Sequence, residues 1–530
     1  MGEGLDQTGR GRIERSSRRA LTAAVVFLLV WNVFQGWRAT LPMKAGHDAF
    51  ISRQIGRTAL NHYLLGPGTT RLANVTAIRR DGGLILHRSY GPAASWVVAL
   101  GMAAGLPYDG AVRLPVLVSM NFFLIGVGLL ARRLAGDRAG LAAMVVAGLT
   151  PVVLFRYSLL CVFENLGLGP FMLALGIGLD TRSRWRTVTV GAAGTLAVMF
   201  SWIFLGVLAP WLGWRTIRGR RFDLLAATLA VTTIPFIVYL GTLQAATGDA
   251  LGDVRQFVHH IGERSSWSTL KQNDTTVLTP WSMACLNGVR LVRNVGRIPL
   301  AAALLSAAVL VRRRRFKALA WCLGLLVLAL PLNFAPNLAF LHDFFVLLYV
   351  PSFALAAGMA VEPIAARLSA RAAVGILAAV LAAFVIVDLT PAARILRSSS
   401  EDRRQDAIAR ELGRTIGPDD LIVADPSVCS FAPDRFSPVN DSREQPPLPF
   451  YAGRICQTVL VAQTPDDAVR LAESPELGAG REVFILNCGK TAWDLPSDFR
   501  DCRPESPIAR YQLWRVSELQ TATNRVGTVR

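Results

Sequence analysis

The feature that most constrains the fold is the recurrence of long apolar stretches from residue 20 to residue 390, separated by short basic segments. A helix that crosses the hydrocarbon core of a bilayer needs about 20 mostly apolar residues, and most of these stretches approach that length. Only helices and closed barrels span a membrane, because every backbone polar group must be satisfied internally. The sequence therefore predicts a polytopic α-helical membrane protein. The stretches are 20–37, 112–131, 139–155, 165–180, 187–214, 223–243, 298–311, 318–334, 344–361 and 373–390.

Composition argues against a soluble enzyme, because 52% of the 530 residues are hydrophobic. The net charge of +19 would suggest a nucleic-acid partner in a soluble protein. Here, however, the arginines form short runs between apolar stretches, which is typical of cytoplasmic loops. We therefore expect a lipid bilayer and no nucleic acid as the partner of this charge.

The basic runs also predict the topology. If the arginine-rich first 19 residues are cytoplasmic, alternate loops should be basic, and they are. This register requires 93–106 to be a helix at the outer leaflet, because about 14 residues are too few to cross. It also requires 187–214 to cross twice, with a turn near Ser201 and Trp202. About eleven crossings and an outer C-terminus follow, and the first stretch is expected to stay as an anchor.

We predict three parts: a cytoplasmic basic tail at 1–19, a transmembrane domain at 20–390 and a periplasmic α/β domain at 402–530. The transmembrane domain contains two outer loops, 38–92 and 244–297. In the last part, segments such as LIVAD and REVFIL are typical of buried strands, and they alternate with helical patterns. Its four cysteines suit two disulfides in an oxidising compartment, with three pairings open. These cysteines are Cys429, Cys456, Cys488 and Cys502.

The first outer loop supplies the pattern that points to a family. Asp48 follows the first apolar stretch, the segment HRSYGP runs from His87 to Pro92, and a long sequence beginning AVRLPVL follows. Over about residues 20–215 this resembles the N-terminal half of GT-C integral-membrane glycosyltransferases, with a looser similarity in LHDFFVLLYV. The similar groups are the protein mannosyltransferase relatives, the aminoarabinose transferase relatives and the RgtA/B/C/D-like group. They are glycosyltransferases of the family 39 and family 83 type.

The resemblance implies a transferase that takes a hexosyl or pentosyl group from a polyprenyl-phosphate donor and inverts the anomeric centre. The acceptor would be an envelope glycan, lipid or protein at the periplasmic face of a bacterial inner membrane. Asp48 would be the general base, because the attacking group must lose a proton. In this family a second acidic residue often follows, whereas here Ala49 does. We assign no residue as a metal ligand and predict no particular cofactor. The use of a divalent metal ion stays open.

Other residues have competing interpretations. Asp48 could instead cap the helix that follows it, and Glu164, the second candidate carboxylate, could simply pair with Arg156. A lipid phosphate requires cationic donors, yet arginines at this interface also anchor headgroups. The candidate phosphate-binding residues are Arg53, Arg57, Arg88, Arg113 and Arg156, and the candidate supporting residues are His47, His87, His342 and Asp343.

Two rival functions remain at this point. A secondary transporter or lipid flippase should show paired halves with charged residues near the membrane midplane, and the sequence shows no such symmetry. A non-catalytic membrane scaffold with a periplasmic binding domain should tolerate changes at Asp48. We expect the glycosyltransferase, while the sugar, the polyprenol and the acceptor stay open.

Overall fold

The computed structural model describes most of the chain up to residue 393 and parts of the remainder. The described residues are 4–41, 47–78, 84–87, 90–179, 183–219, 221–265, 279–334, 343–365, 369–393, 396, 415, 421–424, 444–445, 459–462, 464–472, 482–487, 494–495, 499–501 and 512–516. The chain divides into two compact units. The first contains Met1–Thr40, Arg113–Gly241 and Leu251–Arg397, and the second contains Leu41–Val112, Thr242–Ala250 and Ser398–Arg530.

Helices dominate up to residue 393, and they follow the apolar pattern of the sequence. They are α1 Gly4–Ala39, α2 His47–Thr70, α3 Ala93–Ala103, α4 Tyr108–Ala135, α5 Asp137–Leu149, α6 Phe163–Gly178, α7 Arg184–Phe200, α8 Leu205–Gly219, α9 Phe222–Thr247, α10 Ala250–Ser265, α11 Pro280–Asn294, α12 Arg297–Arg312, α13 Phe316–Phe334, α14 Val350–Ala365, α15 Ala370–Phe384 and α16 Thr390–Ala393. Shorter π-helical and 3-10 turns connect several of them.

Among the described residues, four helical segments are long and apolar enough to cross a membrane: Arg18–Ala39, Tyr108–Ala135, Phe222–Thr247 and Phe316–Asn333. A fifth candidate is the pair α11 and α12, which is bent by 107°. Other predicted crossings are shorter helices, such as the 13 residues of α5 and the 16 residues of α6. At 1.5 Å per residue, these helices span about 20–24 Å. The count of eleven crossings therefore stays a prediction.

Two details of the predicted topology are present in the structure. The long apolar stretch is interrupted at Ser201, whose extended backbone separates α7 from α8. The predicted helix at the outer leaflet is α3, which has only 11 residues and is too short to cross. Its position in a membrane stays a prediction.

Close contacts fix the helices of the first unit against one another. The Ser119 hydroxyl on α4 donates to the backbone oxygens of Asn165 and Leu166 at 2.7 and 2.9 Å. Gly169 makes this approach sterically possible, because a Cβ atom there would lie 1.9 Å from the Ser119 carbonyl oxygen. Small residues commonly permit such close helix packing in membranes. This crossing fixes the first turn of α6, which contains Glu164.

Polar side chains also connect α1 to its neighbours. Asn32 and Asn121 exchange two amide hydrogen bonds of 2.8 and 2.9 Å between α1 and α4. The Trp31 indole donates to the Gly148 carbonyl oxygen at the end of α5, 3.1 Å away. The C-terminal end of α1 is thereby held beside the chain that follows α5.

The second unit contains a small hairpin and a mixed sheet. The hairpin pairs β1 Val75–Ile78 with β2 Leu84–Leu86 in antiparallel fashion. In the sheet the order is β4-β5-β3-β6-β8-β7, with parallel strands at its centre and antiparallel strands outside. Helix α17 Pro465–Ala472 contributes Ala468 and Ala472 to its core. The strands are β3 Leu421–Ala424, β4 Glu444–Gln445, β5 Val459–Val461, β6 Val483–Asn487, β7 Phe499–Asp501 and β8 Gln512–Val516.

The sheet matches the predicted alternation of strands and helices in the last part of the chain. The strands predicted in LIVAD, TVLVA, REVFIL and RYQLWRV are present. The domain boundary at 402 and the periplasmic location stay predictions. Most of the predicted helix at 401–416 and all four cysteines of this part lie outside the described residues.

Candidate active site

The candidate base, Asp48, lies in the first turn of α2, directly after His47, where that helix begins. Asp48 is therefore inside the helix rather than before it, where a capping residue would stand. Arg53 follows on the same helix.

Arg57 is buried in the second unit, with only 5% of its surface exposed. The neighbouring Gly56 lets α2 approach closely, because a Cβ atom there would lie 2.5 Å from the Tyr108 hydroxyl. Arg57 is therefore not part of a solvated helix face. Burial of a guanidinium is costly without hydrogen-bonding partners, so this position favours a binding or structural role over simple headgroup contact.

His62, one turn further along α2, is a buried neutral histidine. Its Nδ1 lies 2.8 Å from the Thr70 hydroxyl oxygen, and that hydroxyl donates its proton to the Gly66 carbonyl oxygen, 3.0 Å away. The His62 Nδ1 must therefore be the donor of its pair. Burial lowers the pKa of His62 from 6.5 to about 4.

Asn74 organises the chain around His87. Its side-chain nitrogen donates to the Tyr90 carbonyl oxygen at 2.9 Å, its side-chain oxygen accepts from the Ser95 hydroxyl at 2.8 Å, and its carbonyl oxygen accepts from the His87 backbone N–H at 2.8 Å. The rings of His87 and Tyr90 are parallel, with centroids 6.3 Å apart. Asn74 thus holds His87 and Tyr90 of the HRSYGP segment, a role that the sequence did not reveal. Arg88 lies outside the described residues.

In the first unit, Arg156 stands on a π-helical turn, Val152–Tyr157, that follows α5. Its Nη1 donates to Asn294 Oδ1 at 2.9 Å, and its guanidinium lies 4.9 Å from the centroid of the Tyr157 ring. π-Helical turns occur frequently at functional sites. Glu164 lies in the first turn of α6 and is 3% exposed. The predicted pair between Arg156 and Glu164 stays a prediction.

The turn that contains Arg156 is held from two sides. Arg38 donates to the carbonyl oxygens of Leu154 at 2.6 Å and Phe155 at 2.5 Å, and to the Ser158 hydroxyl at 2.7 Å. From α6, the Asn165 amide donates to the carbonyl oxygens of Tyr157 and Leu160 at 3.0 and 2.9 Å. Because Asn165 directly follows Glu164, the Arg156 turn and the Glu164 turn are connected.

Arg113 and Arg38 meet at the end of α1. Arg113 is 7% exposed and donates to the carbonyl oxygen of Ala39, the residue after Arg38. Arg113 was predicted as a phosphate ligand, whereas no sequence signal distinguishes Arg38, because an arginine at the end of an apolar helix resembles an ordinary interfacial flank. Both are buried and hydrogen-bonded to backbone oxygens. Arg38 is therefore a structural component of this region that the sequence did not reveal.

Two solved structures of one protein share the fold of this chain. ArnT from Cupriavidus metallidurans bound to undecaprenyl phosphate aligns over 94% of this chain and 98% of its own, with 14% identity and a TM-score of 0.60. The chain has a GT-C fold. Apo ArnT from the same organism aligns over 96% and 99%, with 13% identity and a TM-score of 0.52. The apo oligosaccharyltransferase of Archaeoglobus fulgidus gives 12% identity, coverage of 88% and 69%, and a TM-score of 0.48.

No protein-family model matches the chain, and no curated protein matches it in sequence. The GT-C fold is thus visible in the structure rather than in overall sequence similarity. It confirms the GT-C fold predicted from Asp48, the HRSYGP segment and the helices that follow.

Several predicted site residues of this GT-C chain stay untested. His342 lies outside the described residues, and Asp343 begins the 3-10 turn Asp343–Tyr349. No group of three or more potential metal ligands occurs in the described part of the chain. That Asp48, Glu164 and the arginines share one cavity stays a prediction.

Proposed function

We propose that this protein is an inverting membrane glycosyltransferase. It transfers a sugar from a polyprenyl-phosphate-linked donor to a glycan, lipid or protein acceptor at the periplasmic face of a bacterial inner membrane. The observation that carries the proposal is the shared fold with ArnT bound to undecaprenyl phosphate, which extends over 94% of this chain and 98% of ArnT. This agreement along nearly the whole chain supports a related use of a lipid phosphate.

Asp48 is the general base of the proposed reaction. The acceptor hydroxyl or amine attacks the anomeric carbon as the bond from that carbon to the phosphate oxygen breaks. The acceptor proton passes to the Asp48 carboxylate, and the electron pair of the broken bond leaves with the lipid phosphate. Attack from the face opposite the leaving group inverts the configuration. The GT-C resemblance of the sequence around Asp48 supports this role, and the residue lies near the start of α2.

The leaving lipid phosphate requires positive charge and hydrogen-bond donors. Burial of Arg57 and Arg113 supports such a role for these arginines, because charges in a low-dielectric surrounding interact more strongly with an anion. Arg53, Arg88 and Arg156 complete the proposed set, with Glu164 as a second acid and the histidines as supporting residues.

The test uses the purified full chain in detergent with radiolabelled hexosyl and pentosyl undecaprenyl phosphates and membrane acceptors. The variant Asp48→Asn should lower turnover by about a thousandfold, as expected for loss of a general base. Its binding of undecaprenyl phosphate should not change. Asp109→Asn is the matched control, since Asp109 also lies in the first turn of a helix. Full turnover by Asp48→Asn would contradict the proposed mechanism.

A further inference from the structure

Asn294 presents a buried hydrogen-bond donor beside Arg156. It is the last residue of α11 and is 4% exposed, and its Oδ1 accepts from Arg156 Nη1 at 2.9 Å. A guanidinium only donates, so the orientation of this amide is fixed. Its Nδ2 is therefore not the atom bonded to Arg156. That nitrogen is buried and has no hydrogen-bond partner within the described residues.

Asn287 provides an internal comparison. It lies two turns earlier on the same face of α11 and is 3% exposed. Its Nδ2 donates to the Asn333 carbonyl oxygen at 2.5 Å, which leaves its Oδ1 without a partner in the described part of the protein. Asn287 thus has a spare acceptor, whereas Asn294 has a spare donor. Only the spare donor suits an anionic ligand.

The position of Asn294 is fixed by the bend that follows it. Gly296, with a φ of +102°, turns the chain between α11 and α12. The Asp388 carboxylate accepts from the backbone N–H groups of Arg297 and Ile298, both at 2.8 Å, and so holds the start of α12. Since Arg38 holds the Arg156 turn, both donors are preorganised. Preorganised donors lose little entropy when a ligand binds.

We propose that Asn294 Nδ2 and the Arg156 guanidinium together bind a phosphate oxygen of the lipid-linked donor. This inference rests on the proposed function and adds a ligand residue to it. Phosphate oxygens are strong acceptors, and an anionic oxygen satisfies a charged and a neutral donor at the same time. The otherwise unsatisfied amide nitrogen then acquires its partner when the donor binds.

The test measures the Kd of undecaprenyl phosphate for the purified full chain. Asn294→Asp keeps an oxygen for Arg156 and replaces the N–H donor by an anionic oxygen, while Asn294→Ala removes both groups. Each should weaken binding by about tenfold or more, since a hydrogen bond to a charged group is involved. Asn287→Ala is the control, because it damages the same helix face without removing a spare donor. Its Kd should stay close to wild type.

Undecaprenol, which lacks the phosphate, should bind with the same Kd to wild type and to Asn294→Asp. An unchanged Kd of undecaprenyl phosphate in Asn294→Asp and Asn294→Ala would overturn the inference. So would an equal loss in Asn287→Ala, or an equal loss of undecaprenol binding. If inorganic phosphate displaces the lipid when both are present at the same concentration, the contact belongs to free phosphate and not to the lipid-linked donor. If wild type binds through Asn294 yet transfers no sugar, the proposed function fails and the site stands.

Discussion

Arg38 donates a hydrogen bond of 2.5 Å to the carbonyl oxygen of Phe155, so the end of α1 is bonded to the residue directly before Arg156. The described oxygens around its guanidinium are neutral: two backbone carbonyls, the Ser158 hydroxyl and the Gln35 amide oxygen. A buried cation that satisfies several oxygens at once is difficult to replace.

We predict that Arg38→Lys destabilises the protein by about 3 kcal/mol, because one ammonium cannot reach all of these oxygens and some are left unsatisfied. Thermal unfolding in detergent measures the change. Arg132→Lys is the control, since the Arg132 side chain is 52% exposed. A melting temperature of Arg38→Lys equal to that of the control would show that the buried network contributes little.

Gly169 offers a test of the contact between α4 and α6. Alanine at this position should cost several kcal/mol, because its Cβ would overlap the Ser119 carbonyl oxygen and force the helices apart. Gly206→Ala is the matched control: Gly206 is also helical, and a Cβ atom there would have no tertiary neighbour within 4 Å among the described residues. There, alanine should be neutral or should stabilise by about 0.5–1 kcal/mol. Similar melting temperatures for both variants would contradict the packing.

The buried His62 predicts a dependence of stability on pH. Its pKa is about 4 in the folded protein, against 6.5 for an exposed histidine. Between pH 6.5 and pH 4 the unfolded chain binds a proton that the folded protein does not. The free energy of unfolding therefore decreases as the pH is lowered from 6.5 to 4, and this contribution is constant below pH 4. The full loss is about 3 kcal/mol. His62→Gln should remove this part of the pH dependence of thermal unfolding. An unchanged profile would contradict the lowered pKa of His62.

The start of α12 gives a further prediction. Asp388→Ala removes the carboxylate that accepts from Arg297 and Ile298, and it should destabilise the protein by about 1–2 kcal/mol, as expected for a lost helix cap. Because this cap also fixes the bend beside Asn294, the KM for the lipid-linked donor should rise. Ser369→Ala serves as the control, since Ser369 caps α15 at an exposed position. Equal KM values for both variants would show that the Asp388 cap does not affect binding of the lipid-linked donor.

Hydrophobic pattern and charge predicted the helices, the interruption at Ser201 and the short α3, because these depend on local composition. They did not predict Arg38 as a buried residue, since its partners Leu154 and Phe155 are more than 110 residues away. Asn294 was also missed, because an asparagine at the end of an amphipathic helix is usually a terminus signal. Its spare donor depends on a contact with Arg156 that no local pattern contains. The number of crossings could not be fixed because several helices are shorter than a bilayer requires.

The π-helical turn at Val152–Tyr157 implies that chain length, as well as residue type, positions Arg156. A π turn holds one residue more than an α turn. Deleting Val153 would therefore rotate Arg156 by about 100° relative to Pro151, which directly precedes the turn. A one-residue deletion that preserves every charged group should then remove the guanidinium from Asn294. Spacing in this segment is as much a functional property as the arginine itself.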